Sequence, residues 1–148
     1  MLCAKCLRNT DDLVLLPVKQ KDGALGSIHC HDCAVKSPYY CVKHDTPHIG
    51  FEGDNSTVCL ICVEEEVQQR KKDAPALYER LKRELPTEVF EEIDEDAALA
   101  GEITKNSKAV CVLRFIIVKA RRRGISVEEV ADEIIREKSA YVILSPVV

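Results

Sequence analysis

The sequence has no basic excess, no long apolar run and no leader-like start, and each absence narrows its function. Its 21 Lys and Arg are outnumbered by 25 Asp and Glu, for a formal net charge of -4. Generic nucleic-acid-binding domains are usually basic, so that class is not favoured. The longest apolar stretch, Ala109 to Val118, is interrupted by Arg114 and falls far short of the roughly 20 apolar residues a membrane-spanning helix needs. Membrane insertion is therefore not expected. Met1 runs directly into Leu2-Cys3-Ala4-Lys5-Cys6, where a secretory leader would carry an apolar segment. An intracellular location, cytoplasmic or nuclear if eukaryotic, is expected. What is present is a chain of 148 residues, 46% hydrophobic and 31% charged. It reads as soluble and globular, with room for one ordinary domain or two small ones.

The cysteines carry the strongest signal. Seven of the eight fall into Cys-x-x-Cys or Cys-x-x-His pairs: Cys3/Cys6, Cys30/Cys33, Cys41/His44 and Cys59/Cys62. Two intervening residues let a tight turn aim both side chains at one ion, and four such ligands close a tetrahedral structural site. Four pairs supply eight ligands, the complement of two zinc ions. An even cysteine count would suit disulfides in a secreted chain, but the spacing is that of a metal-binding intracellular one. Iron is the main competitor for a site of four thiolates. His29, His31 and His48 lie close enough in sequence to substitute for a neighbour. The cysteines already fill both sites, so these read as supporting or solvent-exposed residues, and His44 is preferred over His48 because it keeps the two-residue spacing.

Metal-bound thiolates change the local charge. Four cysteines around Zn2+ carry -2, and three cysteines with a neutral histidine carry -1. Residues 1–62 add 6 Lys/Arg and 7 Asp/Glu, so the zinc-loaded segment sums to near -4. An acidic module is poorly suited to a phosphate backbone.

Between Cys6 and Cys30, Leu13-Val14-Leu15-Leu16-Pro17-Val18 and Ala24 to His29 flank Lys21-Asp22-Gly23. Asp-Gly between apolar stretches predicts a β-hairpin, and Pro17 suits an edge strand. The order of knuckle, hairpin and second cysteine pair is similar to the treble-clef and ribbon zinc folds. Over residues 3–62 the ligand pattern resembles two-zinc cross-brace modules of the RING, FYVE and PHD type. The run Ile28-His29-Cys30-His31-Asp32-Cys33 is similar to the histidine–cysteine motif of FYVE domains without its basic residues, so phosphoinositide binding is not carried over.

Two pairings are open. In the sequential one, Cys3/Cys6 joins Cys30/Cys33 and Cys41/His44 joins Cys59/Cys62. In the cross-brace one, the first and third pairs share one zinc and the second and fourth share the other. The resemblance favours the cross-brace, and loop-closure entropy separates the two little. The RING resemblance implies a ubiquitin or ubiquitin-like ligase with a conjugating enzyme as partner. In that family an apolar residue between the first two ligands contacts the conjugating enzyme; here Ala4 and Lys5 stand there. Histidine is the sixth ligand, Leu60 follows Cys59, and Val63 with three glutamates follows Cys62.

The remainder reads as helical. Val63 to Lys72 has acids first and bases last, which suits the helix dipole. Asp73 and Pro75 suit the start of a second helix with a Leu77, Leu81, Leu85 stripe, and Pro86 ends it. Thr87 opens a third, through Val89, Phe90, Ile93 and Ala97, ending near Gly101. Its acids at 88, 91, 92 and 94–96 read as a solvated face, with docking of a basic partner as the alternative. For Ala109–Val118, β-branched content argues strand, whereas Ser107 as cap and Gly124 as terminator argue helix; helix is the reading adopted. Ser126 and Glu129 form a capping box for a last helix. Tyr141 to Val148 reads as a strand or a docking tail. Cys111, inside the apolar run, reads as a small core residue. Ala120-x3-Gly124-Ile125 partly matches a DNA-reading helix-turn-helix, but the following helix is acidic and a plain helical hairpin is preferred.

The sequence thus predicts a small zinc-stabilised α+β module of knuckles plus a β-hairpin at 1–62, followed by an α-helical domain at 63–148 with a short apolar C-terminal segment. The expected ligands are Cys3, Cys6, Cys30, Cys33, Cys41, His44, Cys59 and Cys62, holding two zinc ions with no catalytic residues assigned. The expected function is a zinc-dependent protein–protein interaction protein, an adaptor or complex subunit, with a protein partner or a homo-oligomer. The alternatives are a RING-like ubiquitin ligase and a nucleic-acid-associated regulator using the basic 105–123 segment, with Arg121, Arg122 and Arg123 as partner or phosphate contacts.

Overall fold

The computed structural model of the chain describes residues 1–19, 22–49 and 57–144. The chain divides into two compact units, Met1–Cys62 and a second that begins at Val63.

The first unit opens with a knuckle. Cys3 N–H bonds the Arg8 carbonyl, Leu7 N–H bonds the Cys3 carbonyl, and Leu2 and Asn9 form an isolated antiparallel bridge. Strands β1 (Leu13–Lys19) and β2 (Leu25–Cys30) then pair antiparallel, with Leu13 opposite Cys30 and Leu16 opposite Ser27. The predicted hairpin is present. Asp22 caps its return with a 2.9 Å bond from Ala24 N–H, and Gly23 sits at φ 88. The register slips between Leu16 and Lys19. Pro17 lies in that bulge, where its missing N–H disrupts no regular ladder.

A short helix α1 (His31–Ala34) follows β2 directly. Strands β3 (Tyr40–Cys41) and β4 (Thr46–Pro47) pair antiparallel, and Ile49 bridges Val58. Among the described residues, Leu16, Ala34 and Tyr40 form a buried apolar cluster, with Val14, Val18 and Val35 packed against it. A unit of about 60 residues buries only about 60% of its unfolded surface, so its stability from apolar burial alone is marginal.

Helix α2 (Leu60–Arg70) begins two residues before Cys62 and continues into the second unit. Helices α3 (Ala74–Glu84), α4 (Thr87–Thr104), α5 (Lys108–Arg123), α6 (Val127–Glu137) and α7 (Tyr141–Leu144) complete the chain. The stretch Ala109–Val118 lies inside α5, as the capping signals indicated. Ser107 Oγ accepts from Val110 N–H, and Gly124 closes the helix at φ 66 with Ile125 N–H bonded to the Ala120 carbonyl. Helices α3, α4, α6 and α7 pack around α5. Eight α5 residues are buried, including Cys111, Leu113, Ile116 and Ile117. A helix buried on most sides tolerates β-branched residues because packing outweighs intrinsic propensity. Cys111 is a core residue, 1% exposed.

Four expectations need correction. Asp73 makes no side-chain cap bond to α3. Helix α4 does not end near Gly101 but runs on to Thr104, where Lys105 takes the left-handed conformation. Gly101 is a packing glycine: a Cβ there would lie 2.7 Å from the Asn106 carbonyl oxygen. Residues 141–144 form a helical turn, not a strand; residues 145–148 lie outside the described residues. At α6, Ser126 Oγ accepts from Glu129 N–H as expected, while the Glu129 carboxylate bonds the Ser126 hydroxyl instead of its backbone N–H.

No described helix is long and apolar enough to cross a membrane.

Candidate metal centres

The structure gathers the eight expected donors into two groups. Cys3, Cys6, Cys30 and Cys33 form one; Cys41, His44, Cys59 and Cys62 form the other, and within each group the donor atoms all lie within 4.8 Å of one another. This is the sequential pairing, and it overturns the cross-brace arrangement favoured by the RING, FYVE and PHD resemblance. The physical reason lies in the hairpin. Antiparallel pairing places Cys30 opposite Leu13, and Ala4 N–H donates to the Ile28 carbonyl at 2.8 Å. The first knuckle is thereby hydrogen-bonded to the strand that delivers the second pair.

Both groups are assembled in the same way. Two donors come from a turn, and two come from the start of a helix. Cys30 stands at the N-cap position of α1 and Cys33 lies within it; Cys59 immediately precedes α2 and Cys62 lies in its first turn. The residue after each turn's second donor has positive φ: Leu7 at 62 and Asp45 at 49. That left-handed residue lets the chain reverse once both side chains point inward.

The spacings fit tetrahedral coordination. Cys6 Sγ and Cys30 Sγ are 3.7 Å apart, as are Cys41 Sγ and Cys62 Sγ. A tetrahedron with metal–sulfur bonds of about 2.3 Å has sulfur–sulfur edges of about 3.8 Å. A disulfide would need about 2.05 Å, and none of the eight cysteines is paired in one. His44 presents Nδ1, which lies 3.4, 3.5 and 3.3 Å from the sulfurs of Cys41, Cys59 and Cys62. One set of four cysteines and one of three cysteines with a histidine thus suit two metal ions, each with four donors.

Thiol ionisation follows the same geometry. The backbone N–H of Cys6 bonds the Cys3 sulfur at 3.4 Å, as does that of Lys5, and these bonds help bring the Cys3 thiol down to about 5. Cys33 is pushed up to about 12, chiefly by its hydrogen bond with Cys30 and then by burial. In the second group burial opposes ionisation of Cys41, but the backbone and ring of His44 with the neighbouring thiols outweigh it and bring Cys41 to about 7. Cys62 is pushed up to about 11 by burial and by Cys41. A divalent cation favours the thiolate at every sulfur donor, so coordination releases thiol protons to solvent. Arg8 stands near the first group, its guanidinium pKa raised by the Cys30 charge and by Asp32, with which it pairs at 3.2 Å.

The other histidines are held by oxygen. His48 Nδ1 is 2.8 Å from Thr57 Oγ1, His29 Nε2 is 2.9 Å from Ser27 Oγ, and His31 Nε2 is 2.9 Å from Asp45 Oδ1. Asp45 and Tyr40, which meet at this last contact, were not singled out from sequence. Their only signal there is adjacency to His44 and Cys41.

The basic residues of α5 are engaged within the helical unit. Arg121 pairs with Glu66 at 2.9 Å, Lys108 with Asp94 at 3.1 Å, Arg114 with Glu64 and Arg123 with Glu133. Arg122 is also engaged. On α4, Glu88, Glu91, Glu92, Glu95 and Asp96 are exposed, while Asp94 accepts from the Tyr78 hydroxyl at 2.5 Å.

In comparisons with known proteins, no protein family, no curated protein and no solved structure matches the chain.

Proposed function

We propose that this chain is a zinc-dependent protein–protein interaction protein, an adaptor or complex subunit, in which two structural zinc ions shape the first unit. The observation that carries it is the pair of four-donor clusters, each complete in itself. Zinc is the ion best matched to sets of four thiolates, or of three thiolates and an imidazole. With four protein donors the tetrahedron is closed, so the ions act as staples and leave no position for a reacting water. Such staples suit a unit of about 60 residues, whose stability from apolar burial alone is marginal. In each half, a turn and a helix start around one ion resemble a treble clef.

Surfaces then carry the function. Leu15, Leu25 and Ile49 line an apolar depression of about 320 Å3 beside His48 in the first unit. In the second unit, exposed Leu99 and Ile103 continue the acidic face of α4. The ligase reading, which the eight-ligand pattern suggested, is not adopted, because the RING modules it resembles are cross-braced and these donors are grouped sequentially. The nucleic-acid reading is not adopted either, because Lys108, Arg114, Arg121 and Arg123 already have carboxylate partners.

Native mass spectrometry of freshly purified, chelator-free protein should find two zinc ions per chain, and finding none would refute the metal assignment. Sedimentation and affinity capture of the zinc-loaded chain should detect a specific protein partner or self-association that is lost on chelation. A partnerless monomer would refute the adaptor reading.

A further inference from the structure

We propose that the two clusters load metal cooperatively, as one coupled pair, through a bridge formed by His31, Tyr40 and Asp45. This rests on the reading of the clusters as metal sites. Each bridging residue adjoins a donor: His31 follows Cys30, Tyr40 precedes Cys41, and Asp45 follows His44. Oδ1 of Asp45 lies 2.9 Å from His31 Nε2 and also accepts the Tyr40 hydroxyl. The rings of His31 and Tyr40 meet edge to face, 6.0 Å apart at 89°. Asp45 reaches both partners from the left-handed conformation that ends the second turn.

Beneath the bridge the two clusters share one core. Ala34, the neighbour of Cys33, packs with Tyr40 and Leu16, and both Ala34 and Leu16 are fully buried. An exposed ion pair such as His31–Asp45 contributes little alone. Joined to a buried tyrosine, it locks the backbone beside one cluster to the backbone beside the other. A metal ion that orders Cys30 and Cys33 therefore preorders Tyr40, Cys41 and His44, and the second ion meets a site whose ordering entropy is already partly offset. Thermodynamic linkage makes the effect reciprocal.

The test uses the full chain with zinc alone and a competing chelator. Cys62→Ser, which disables the second cluster, should weaken zinc binding at the first by about 5- to 150-fold, and Cys6→Ser should weaken the second by the same factor. Asp45→Ala keeps all eight donors and should bring that factor toward one. A cobalt titration of the unsubstituted chain guards against variants that fail to fold: the absorption bands of the all-cysteine site and of the histidine-containing site should grow together in constant ratio. Remaining-site affinities unchanged within twofold, or one cobalt spectrum completing before the other starts, would overturn the coupling while leaving the metal sites standing. An unaltered factor in Asp45→Ala would overturn the role of the bridge. A chain that binds neither metal would overturn the reading on which the coupling rests.

Discussion

Gly101 sets helix propensity and packing in opposition. It lies within α4, where alanine should be favoured over glycine by about 0.5–1 kcal/mol through reduced backbone entropy in the unfolded chain. Judged by propensity alone, Gly101→Ala stabilises. The structure reverses the sign. The added Cβ would stand 2.7 Å from the Asn106 carbonyl oxygen, a backbone atom in the turn between α4 and α5. That turn includes Lys105 in the left-handed conformation, and Ser107 at its end caps α5. Relief of the contact therefore has to move a capped helix start. Overpacking of this kind costs about 1–3 kcal/mol. Less the propensity gain, Gly101→Ala should destabilise the helical unit by about 1 kcal/mol, which lowers the melting temperature of a unit of this size by about 4–8 °C. Far-UV circular dichroism at constant zinc is the assay, because α3 to α6 supply most of the helix. Gly124→Ala is a useful comparator: its Cβ would meet nothing within 4 Å, but φ is +66, so it should cost about 1–2 kcal/mol from backbone conformation alone. A Gly101→Ala chain that melts at or above the parent would refute the close-approach argument.

Three further outcomes are expected. Tyr78 donates to Asp94, and burial together with that carboxylate pushes its hydroxyl up to about 12; Tyr78→Phe should cost the helical unit about 1 kcal/mol in urea unfolding, and an unchanged midpoint would show the bond to be energetically idle. Glu128 is held below its ordinary range by its hydrogen bond from Arg70 at 2.7 Å. Because the folded pKa is the lower one, the contribution is present above the unfolded value of about 4.3 and is lost as pH falls below it; Glu128→Gln should flatten the acid limb of stability by no more than about 1 kcal/mol for so exposed a pair, and an identical acid limb would argue against the contact. Chelation should erase dispersed amide resonances from residues 1–62 and release protons on re-addition of zinc, while the α3 to α6 resonances stay in place. Preserved dispersion in the first unit without metal would mean that its apolar packing suffices.

How much of this was legible beforehand depends on range. The ligand pairs, the hairpin and the caps at Ser107, Gly124 and Ser126 are local patterns, and the structure contains them. The pairing of the clusters was not legible, because loops of these lengths close at similar entropic cost in either arrangement. It is decided by the hydrogen bond from Ala4 N–H to the Ile28 carbonyl, between residues 24 apart whose spacing alone says nothing of contact. Arg114 and Arg121 had no visible partners in sequence for the same reason, since Glu64 and Glu66 are 50 or more residues away. Gly101 was misread because a glycine after a helical pattern is usually a terminator, and only the position of Asn106 shows why it stands inside the helix.

The sequential order of the donors also bears on how the chain can be assembled during synthesis. All four donors of the first set have been translated by Cys33, before any donor of the second exists, and no later segment has to thread between them. The second set is complete at Cys62, three residues into α2. A nascent chain therefore has a full donor set for its first ion before the second set is made. The proposed coupling would tighten the hold on that ion once Cys62 has emerged.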